Sequence, residues 1–176
     1  RFIKAMATLD RSLGQGAVQV GTPNAVFSLN ATVNRLEWQD MTNPILTQSG
    51  ITFGGLGQNS TVNLNSDLWM RSVDGIRSMQ QARKDFSLPG NTPDSVEMNR
   101  VLLEDDDSLM EYSSAVVFDN RLLMTAHPTP SDQGVFHLGL IALNLDPLSS
   151  LGKKSTAVYD GLFTGINVLQ VMHGQF

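Results

Sequence analysis

Residues 65–78 read NSDLWMRSVDGIRS, and this stretch decides the fold class. In its first half, Leu68 and Met70 alternate with Trp69 and Arg71, which is the side-chain period of a β-strand. An Asp-Gly pair follows, and glycine readily adopts the positive φ that a tight hairpin turn requires. The stretch therefore predicts a β-hairpin in preference to an active-site loop.

One face of this hairpin has a polar character. Asp67, Trp69 and Arg71 lie on the same side of the predicted strand, because strand side chains alternate. Stacking of an arginine on an aromatic ring, with hydrogen bonds beside it, is the simplest use of such a face. We expect these side chains to point outward.

Strand signals recur along the rest of the chain. Period-two or continuous apolar patterns occur in 17–29, 35–40, 45–52, 62–64, 115–125, 135–145 and 157–173. Turn residues interrupt several of them: a Gly-Thr-Pro-Asn break in 17–29, Asp119-Asn120 in 115–125 and Asp160-Gly161 in 157–173. Residues 35–40 and 45–52 form a second hairpin-like unit, and 135–145 read as a strand buried on both faces. The sequence predicts a mainly β chain of antiparallel sheets, as in a sandwich or a partial β-propeller.

The middle of the chain differs in character. Thr92 and Pro93 are typical of a helix start, so we expect one short helix near 93–103 that ends at the acidic run 104–107. Because the chain begins with Arg1 and not with Met, we expect residues 1–176 to be a fragment of a larger β-rich, propeller-like chain. Possible sub-units are 1–91 and 92–176.

Composition limits the possible functions. The chain has 176 residues, no cysteine and a formal net charge of −5, from 12 basic and 17 acidic side chains that form no basic run. A general nucleic-acid surface is disfavoured by this charge, and disulfides and thiolate metal sites are excluded. We also expect no membrane span, because the longest apolar run is far below the ~20 residues that a spanning helix needs.

Motifs for catalysis and ligand binding are missing. The glycine-rich 54–57 lacks the ending of a phosphate-binding loop, and neither a nucleophile elbow nor a metalloprotease motif occurs. The acidic run 104–107, with Glu111 nearby, lacks the ligand spacing of a calcium loop, and a solvated helix end or an acidic rim is the better interpretation. The histidines are far apart in sequence and we expect them to be bystanders: His127, His137 and His173. We therefore predict a protein that is not an enzyme, with no catalytic, cofactor-binding or metal-binding residue.

Four phrases, in their order along the chain, are similar to bacteriophage virion proteins. They are DLWMRSVDGIRS at 67–78, EMNRVL at 97–102, SAVVFDNRLL at 114–123 and YDGLFTG at 159–165. More narrowly, residues 65–176 resemble the β-propeller-containing tail nozzle or tail-tube proteins of short-tailed phages. Proteins of that family are much longer than 176 residues.

The resemblance implies a mechanical role. Nozzle-like subunits form a homo-oligomeric ring around the channel through which DNA leaves, dock to adaptor proteins near the portal and carry fibre proteins. DNA would be transient, non-specific cargo, no cofactor is implied, and the protein would belong to the virion tail after assembly in the bacterial cytoplasm. The acidic balance of the chain fits, since a negative channel lining repels the phosphate backbone.

Two other functions stay open at the sequence level. A propeller-type receptor- or glycan-binding module would use Trp38 and Trp69 as sugar-stacking residues, although packing within or between sheets is the commoner use of tryptophan. A glycoside hydrolase would need two carboxylates ~5–9 Å apart in a cleft. The carboxylates available for that role are Glu37, Asp67, Asp74 and Glu111.

Overall fold

The computed structural model of the protein describes residues 2–8, 17–32, 34–64, 67–79, 98, 101–102, 105–128, 138–145 and 158–174. Within these ranges the strands are β1 Ala5–Thr8, β2 Val18–Thr22, β3 Ala25–Leu29, β4 Leu46–Gln48, β5 Thr61–Leu64, β6 Asp67–Ser72, β7 Gly75–Ser78, β8 Ala115–Phe118, β9 Arg121–Ala126, β10 Gly139–Asn144 and β11 Val158–Thr164. Two short 3-10 helices lie at Arg35–Gln39 and Met110–Tyr112.

The strands form three antiparallel sheets, and each sheet follows chain order. The first has the order β1-β2-β3-β4, the second β5-β6-β7 and the third β11-β10-β9-β8. The first strands of successive sheets contact one another, β1 with β5 and β5 with β8. The prediction of a mainly β chain with antiparallel sheets is confirmed.

The hairpin in residues 65–78 is confirmed as β6 and β7. Val73 and Asp74 form its turn, and Gly75 has a φ of 148°, a left-handed conformation that favours glycine. Trp69 pairs with Ser78 and Arg71 pairs with Ile76 across the ladder. The turn chemistry of the sequence therefore sets the position of the reversal.

The expectation that this hairpin has an outward polar face is wrong. Trp69 and Arg71 are buried, because both faces of the second sheet are covered. Trp69 belongs to a hydrophobic cluster shared with the third sheet, which also contains Ile76, Leu122, Met124, Ile141 and Leu143. Leu68 and Met70, on the opposite face, belong to a second cluster with Val26, Ile51, Phe53 and Met79. The alternation that predicted one polar face instead divides the side chains between two cores.

Two further turns agree with the sequence. Pro23 and Asn24 separate β2 from β3, within the predicted break in 17–29. Asp119 and Asn120 separate β8 from β9 and have φ values of 47° and 57°. Two successive residues with positive φ are typical of a type I′ hairpin turn, which matches the right-handed twist of the strands.

The apolar strand in 135–145 is confirmed over its described part. β10 lies between β9 and β11, and Ile141, Ala142 and Leu143 are all buried. Residues 135–137, including His137, lie outside the described residues. A continuous apolar sequence is what a central strand between two neighbours requires.

Residues 35–40 were expected to be a strand and instead form a 3-10 helix. The Oδ1 of Asn34 accepts a hydrogen bond from the backbone N–H of Leu36 at 3.1 Å, which caps the first turn. All five residues of this helix are at least partly exposed, so no sheet face selects the alternating pattern. The hairpin expected from 35–40 and 45–52 is therefore wrong, and β4 pairs with β3.

Asp160-Gly161 was expected to be a turn, and this is also wrong. β11 runs without interruption from Val158 to Thr164 along β10. Ala142 pairs with Gly161 and Leu143 with Tyr159, so Asp160 is the extra residue of a β-bulge. Turns and bulges both use Asp and Gly, and the partner strand decides between them.

The predicted helix near 93–103 lies largely outside the described residues. The structure describes Met98, Val101 and Leu102 from this stretch, and their backbone is helical. Met98 and Leu102 are buried in the cluster around Trp69. In the described part of the chain, the helices lack the length and apolar character that a membrane crossing requires.

Candidate functional site

A buried ion pair lies between the second and third sheets. Arg71 Nη2 is 3.0 Å from Asp105 Oδ2, and the two side chains are 0% and 2% exposed. Arg71 also donates hydrogen bonds to the carbonyl oxygens of Ser72 at 3.1 Å and Leu102 at 3.0 Å. The expectation that the acidic run is solvated is therefore wrong at Asp105, because this carboxylate has a buried cationic partner.

Removal from water affects both members of this pair. Burial lowers the pKa of the Arg71 guanidinium, against the attraction of Asp105. Burial likewise raises the pKa of Asp105, against the attraction of Arg71 and a hydrogen bond from His127. A buried charge pair of this kind fixes geometry more than it adds stability, because desolvation offsets much of the Coulomb attraction. We interpret it as a clamp between sheets.

His127 connects this clamp to the end of the described chain. Its backbone N–H donates to Asp105 Oδ1 at 3.0 Å. Its ring Nε2 lies 3.1 Å from the carbonyl oxygen of Val168, and since a carbonyl can only accept, Nε2 carries the proton. These contacts give His127 a packing role.

The other two histidines, His173 and His137, differ in that only His173 lies among the described residues. The His173 ring contacts the ring of Phe118 edge-on, with centroids 5.8 Å apart. His137 lies outside the described residues. Within the described ranges, no group of three histidine or acidic side chains is arranged to hold a metal ion.

The four carboxylates considered for a hydrolase have separate local partners. Glu37 accepts a hydrogen bond from Asn34, Asp67 from Ser78, Asp74 from Arg77 and Glu111 from Lys4. Asp67 begins β6 and Asp74 lies in the turn beyond its other end. A strand of that length spans roughly 16 Å, at about 3.3 Å per residue, which exceeds the separation that glycoside hydrolysis requires.

The two tryptophans have different environments. Trp69 is 4% exposed and packs in the core, so it is not placed to stack on a sugar and the packing interpretation is confirmed. Trp38 lies on the first 3-10 helix and is 38% exposed. Its indole N–H donates to the carbonyl oxygen of Thr32 at 2.9 Å, which fixes the ring against the loop.

Amide side chains join the first strands of neighbouring sheets. Gln58 accepts from the backbone N–H of Met6 at 2.7 Å and donates to its carbonyl at 2.9 Å, so it imitates a neighbouring strand. Asn63 donates to the carbonyl oxygen of Thr8 at 3.1 Å. The backbone N–H of Ala115, the first residue of β8, donates to the carbonyl oxygen of Asn59, in the turn just before β5, at 2.9 Å. These bonds hold β1, β5 and β8 side by side.

Sequence reasoning missed both the clamp and the amide links. Arg71 and Asp105 are 34 residues apart, and Gln58 and Met6 are 52 apart. Local pattern carries no signal for either pairing, because each depends on how two sheets meet. The comparisons with known proteins are consistent in their outcome: no family model matches the chain, and no match is found among curated proteins or among solved structures.

Proposed function

We propose that this chain is part of a structural subunit of a short-tailed phage tail, similar to a nozzle or tail-tube protein. In this proposal, copies of the subunit form a ring around the DNA-exit channel and dock to adaptor proteins. The observation that carries the proposal is the arrangement of the three sheets: each follows chain order, and their first strands lie side by side. The resemblance of the phrases at 67–78 and 114–123 supplies the link to phage tails.

The sheet arrangement supports a propeller-like architecture. Propeller blades are four-stranded antiparallel sheets set around a central channel. The first and third sheets have four strands in chain order, and the second has three described strands. With β1, β5 and β8 placed innermost, the remaining strands of each sheet would extend outward from the axis. The amide links of Gln58 and Asn63 would then lie near the channel.

The charges of the described residues suit a mechanical role. Arg71 pairs with Asp105, Arg77 with Asp74, Lys4 with Glu111, and Arg121 with Asp119 and Asp160. Three of these links join residues more than thirty apart in the chain: Arg121–Asp160 lies within the third sheet, whereas Arg71–Asp105 and Lys4–Glu111 join parts of the chain that do not belong to one sheet. In our proposal they hold sheets together under load. The net charge of −5 reduces non-specific adhesion of passing DNA.

The native mass of the full-length protein tests this proposal. Light scattering and negative-stain microscopy would be recorded with and without a purified adaptor complex from the same phage. We expect a closed ring, either alone or on the adaptor. A species that stays monomeric and does not bind the adaptor would contradict a nozzle-like role, and glycan binding that depends on Trp38 would replace it.

A further inference from the structure

The end of the last described segment, after Asp160, contains no Asp, Glu, Lys or Arg. Residues 161–174 read GLFTGINVLQVMHG, in a chain whose formal net charge is −5. The segment includes the end of β11. It then passes His127, just after β9, and Ser114, just before β8. It is therefore a neutral part of an acidic protein.

Its exposed apolar side chains recur at every third residue. Phe163, Ile166, Leu169 and Met172 are 58%, 63%, 71% and 76% exposed. We call these four side chains the apolar ridge. Phe163 lies near the end of β11, and the other three occupy every third position of the stretch that follows Gly165.

Other residues of the same segment attach it to the third sheet. Val168 and Val171 are half-buried, and both are held through their backbone. The His127 ring donates to the carbonyl oxygen of Val168 at 3.1 Å, while Ser114 Oγ bonds both the carbonyl oxygen and the N–H of Val171, at 3.1 and 3.2 Å. Ser114 and His127 are themselves buried. The ridge is thus presented in a fixed position, which lowers the entropy cost of binding to it.

We infer that the apolar ridge is the surface that contacts a neighbouring copy of this chain. The inference identifies a contact surface within the ring proposed above, and it rests on that proposed function. Between two copies of an acidic protein, a neutral contact avoids like-charge repulsion, whereas the ridge segment offers neither a cation to an acidic partner nor a carboxylate to a basic one. The chemistry of the segment therefore fits an uncharged apolar patch on another copy.

The size of the ridge agrees with this use. Its four side chains expose roughly 500 Å² together, which is near the upper end of the apolar patches that monomers leave open, ~300–600 Å². Each partner in a standard protein interface buries about 800 Å². The ridge would supply more than half of one side of such an interface.

A charge substitution on the ridge tests the inference. Leu169→Glu places a carboxylate at the middle of the ridge, and Leu36→Glu is the matched control, because Leu36 is 83% exposed on the first 3-10 helix. We expect the wild-type ring, measured by light scattering in the full-length protein, to persist with Leu36→Glu and to dissociate with Leu169→Glu at unchanged circular dichroism. A ring that persists with Leu169→Glu overturns the ridge contact and leaves the nozzle-like role standing.

A single introduced thiol identifies what covers the ridge. Residues 1–176 contain no cysteine, so Leu169→Cys introduces one site within them for a benzophenone maleimide photocrosslinker, and any cysteine elsewhere in the full-length protein is replaced by serine. Light and isotopically heavy copies would be mixed, crosslinked and digested. We expect crosslinks between light and heavy peptides of this chain. Crosslinks confined to one copy, or to another protein, overturn the inference; light-heavy crosslinks in a dimer that forms no ring uphold the ridge contact and contradict the nozzle-like role.

Discussion

Arg71 and Asp105 lie 34 residues apart in the chain and meet at 3.0 Å in a place where neither side chain reaches water. Arg71 belongs to β6, in the middle sheet, while Asp105 forms an isolated antiparallel bridge with Pro128 just beyond β9. The pair consequently joins the second sheet to the third. Its geometry depends on both sheets being in place.

The first prediction concerns this pair. Asp105→Ala leaves the Arg71 guanidinium buried without its carboxylate, so we expect a loss of about 3–5 kcal/mol in the free energy of unfolding. Replacing both members, as Arg71→Met with Asp105→Leu, should cost less than the single change, because no buried charge is left. Urea denaturation of wild type, Arg71→Met, Asp105→Leu and the double variant gives a closed double-mutant cycle, and Asp105→Ala is measured beside them.

The control for this prediction is an exposed ion pair. Arg121 pairs with Asp119 and Asp160 at the surface, and Arg121→Met should shift the denaturation midpoint little. If Asp105→Ala were as mild as Arg121→Met, the interpretation of Arg71 and Asp105 as a clamp would be wrong.

The second prediction concerns pH. Burial by itself would raise the pKa of Asp74, but hydrogen bonds from Arg77 and Ser72 outweigh it and hold that pKa below the ordinary value of 3.8. The unfolded chain therefore takes up the proton first as the pH falls. The stabilisation is full above the ordinary value and is lost as the pH falls through the folded-state pKa.

Comparison with Asp74→Asn isolates this contribution. The difference in unfolding free energy between wild type and Asp74→Asn should be largest near neutral pH and should shrink below about pH 4. Urea denaturation at a series of pH values measures it. A difference that stays constant across the acid range would show that the carboxylate charge is not responsible.

The third prediction concerns the β8–β9 turn. Asn120 has a φ of 57°, which costs an ordinary side chain ~1–2 kcal/mol but suits asparagine and glycine. Asn120→Ala should therefore reduce the unfolding free energy by about 1 kcal/mol, and Asn120→Gly should change it by less than ~0.5 kcal/mol. Equal effects of the two changes in thermal and urea denaturation would refute a positive-φ requirement at this position.

The fourth prediction compares two glycines on paired strands. Gly139 begins β10 with a φ of 151°, and a Cβ there would lie 1.9 Å from the carbonyl oxygen of Phe163. A Cβ added at Gly161 would lie in open space, with no described atom within 4 Å. We expect Gly139→Ala to cost at least ~2 kcal/mol and Gly161→Ala to be nearly neutral, since only the first forces backbone atoms apart. Similar midpoints for both variants would contradict the close approach of β10 and β11.

The sequence correctly predicted the elements whose formation depends on their own residues. The reversal that ends at Gly75 and the one at Asp119–Asn120 depend on residues that tolerate left-handed backbone, and these are visible in the sequence. The buried central strand β10 is likewise visible, because a strand with two neighbours and two covered faces is apolar along its whole length. These elements were placed correctly.

The errors arise where a neighbour decides the outcome. Alternation in 35–40 fits a strand, but the cap from Asn34 and the lack of a covering sheet give a 3-10 helix. Asp160 and Gly161 fit a turn, but pairing with β10 makes Asp160 a bulge. The sequence around Arg71 is ordinary for a surface strand. Its burial depends on the carboxylate of Asp105, which is distant in the sequence. The candidate contact surface on the apolar ridge was also missed, since its period of three matches neither a strand nor an α-helix.

The chain order of the three sheets has a consequence for synthesis. Every ladder among the described strands joins strands that are consecutive in the sequence, with two to sixteen residues between paired strands, so the entropy cost of closing each connection is modest. The first sheet could form on the ribosome while the third is still being translated, because translation adds only about 5–20 residues per second. The clamp between Arg71 and Asp105 must form later, once Asp105 has emerged. In a nascent chain stalled before Asp105, the first sheet should therefore form a protease-resistant core. The Arg71 side chain should remain hydrated in that chain, because Asp105 has not yet been added.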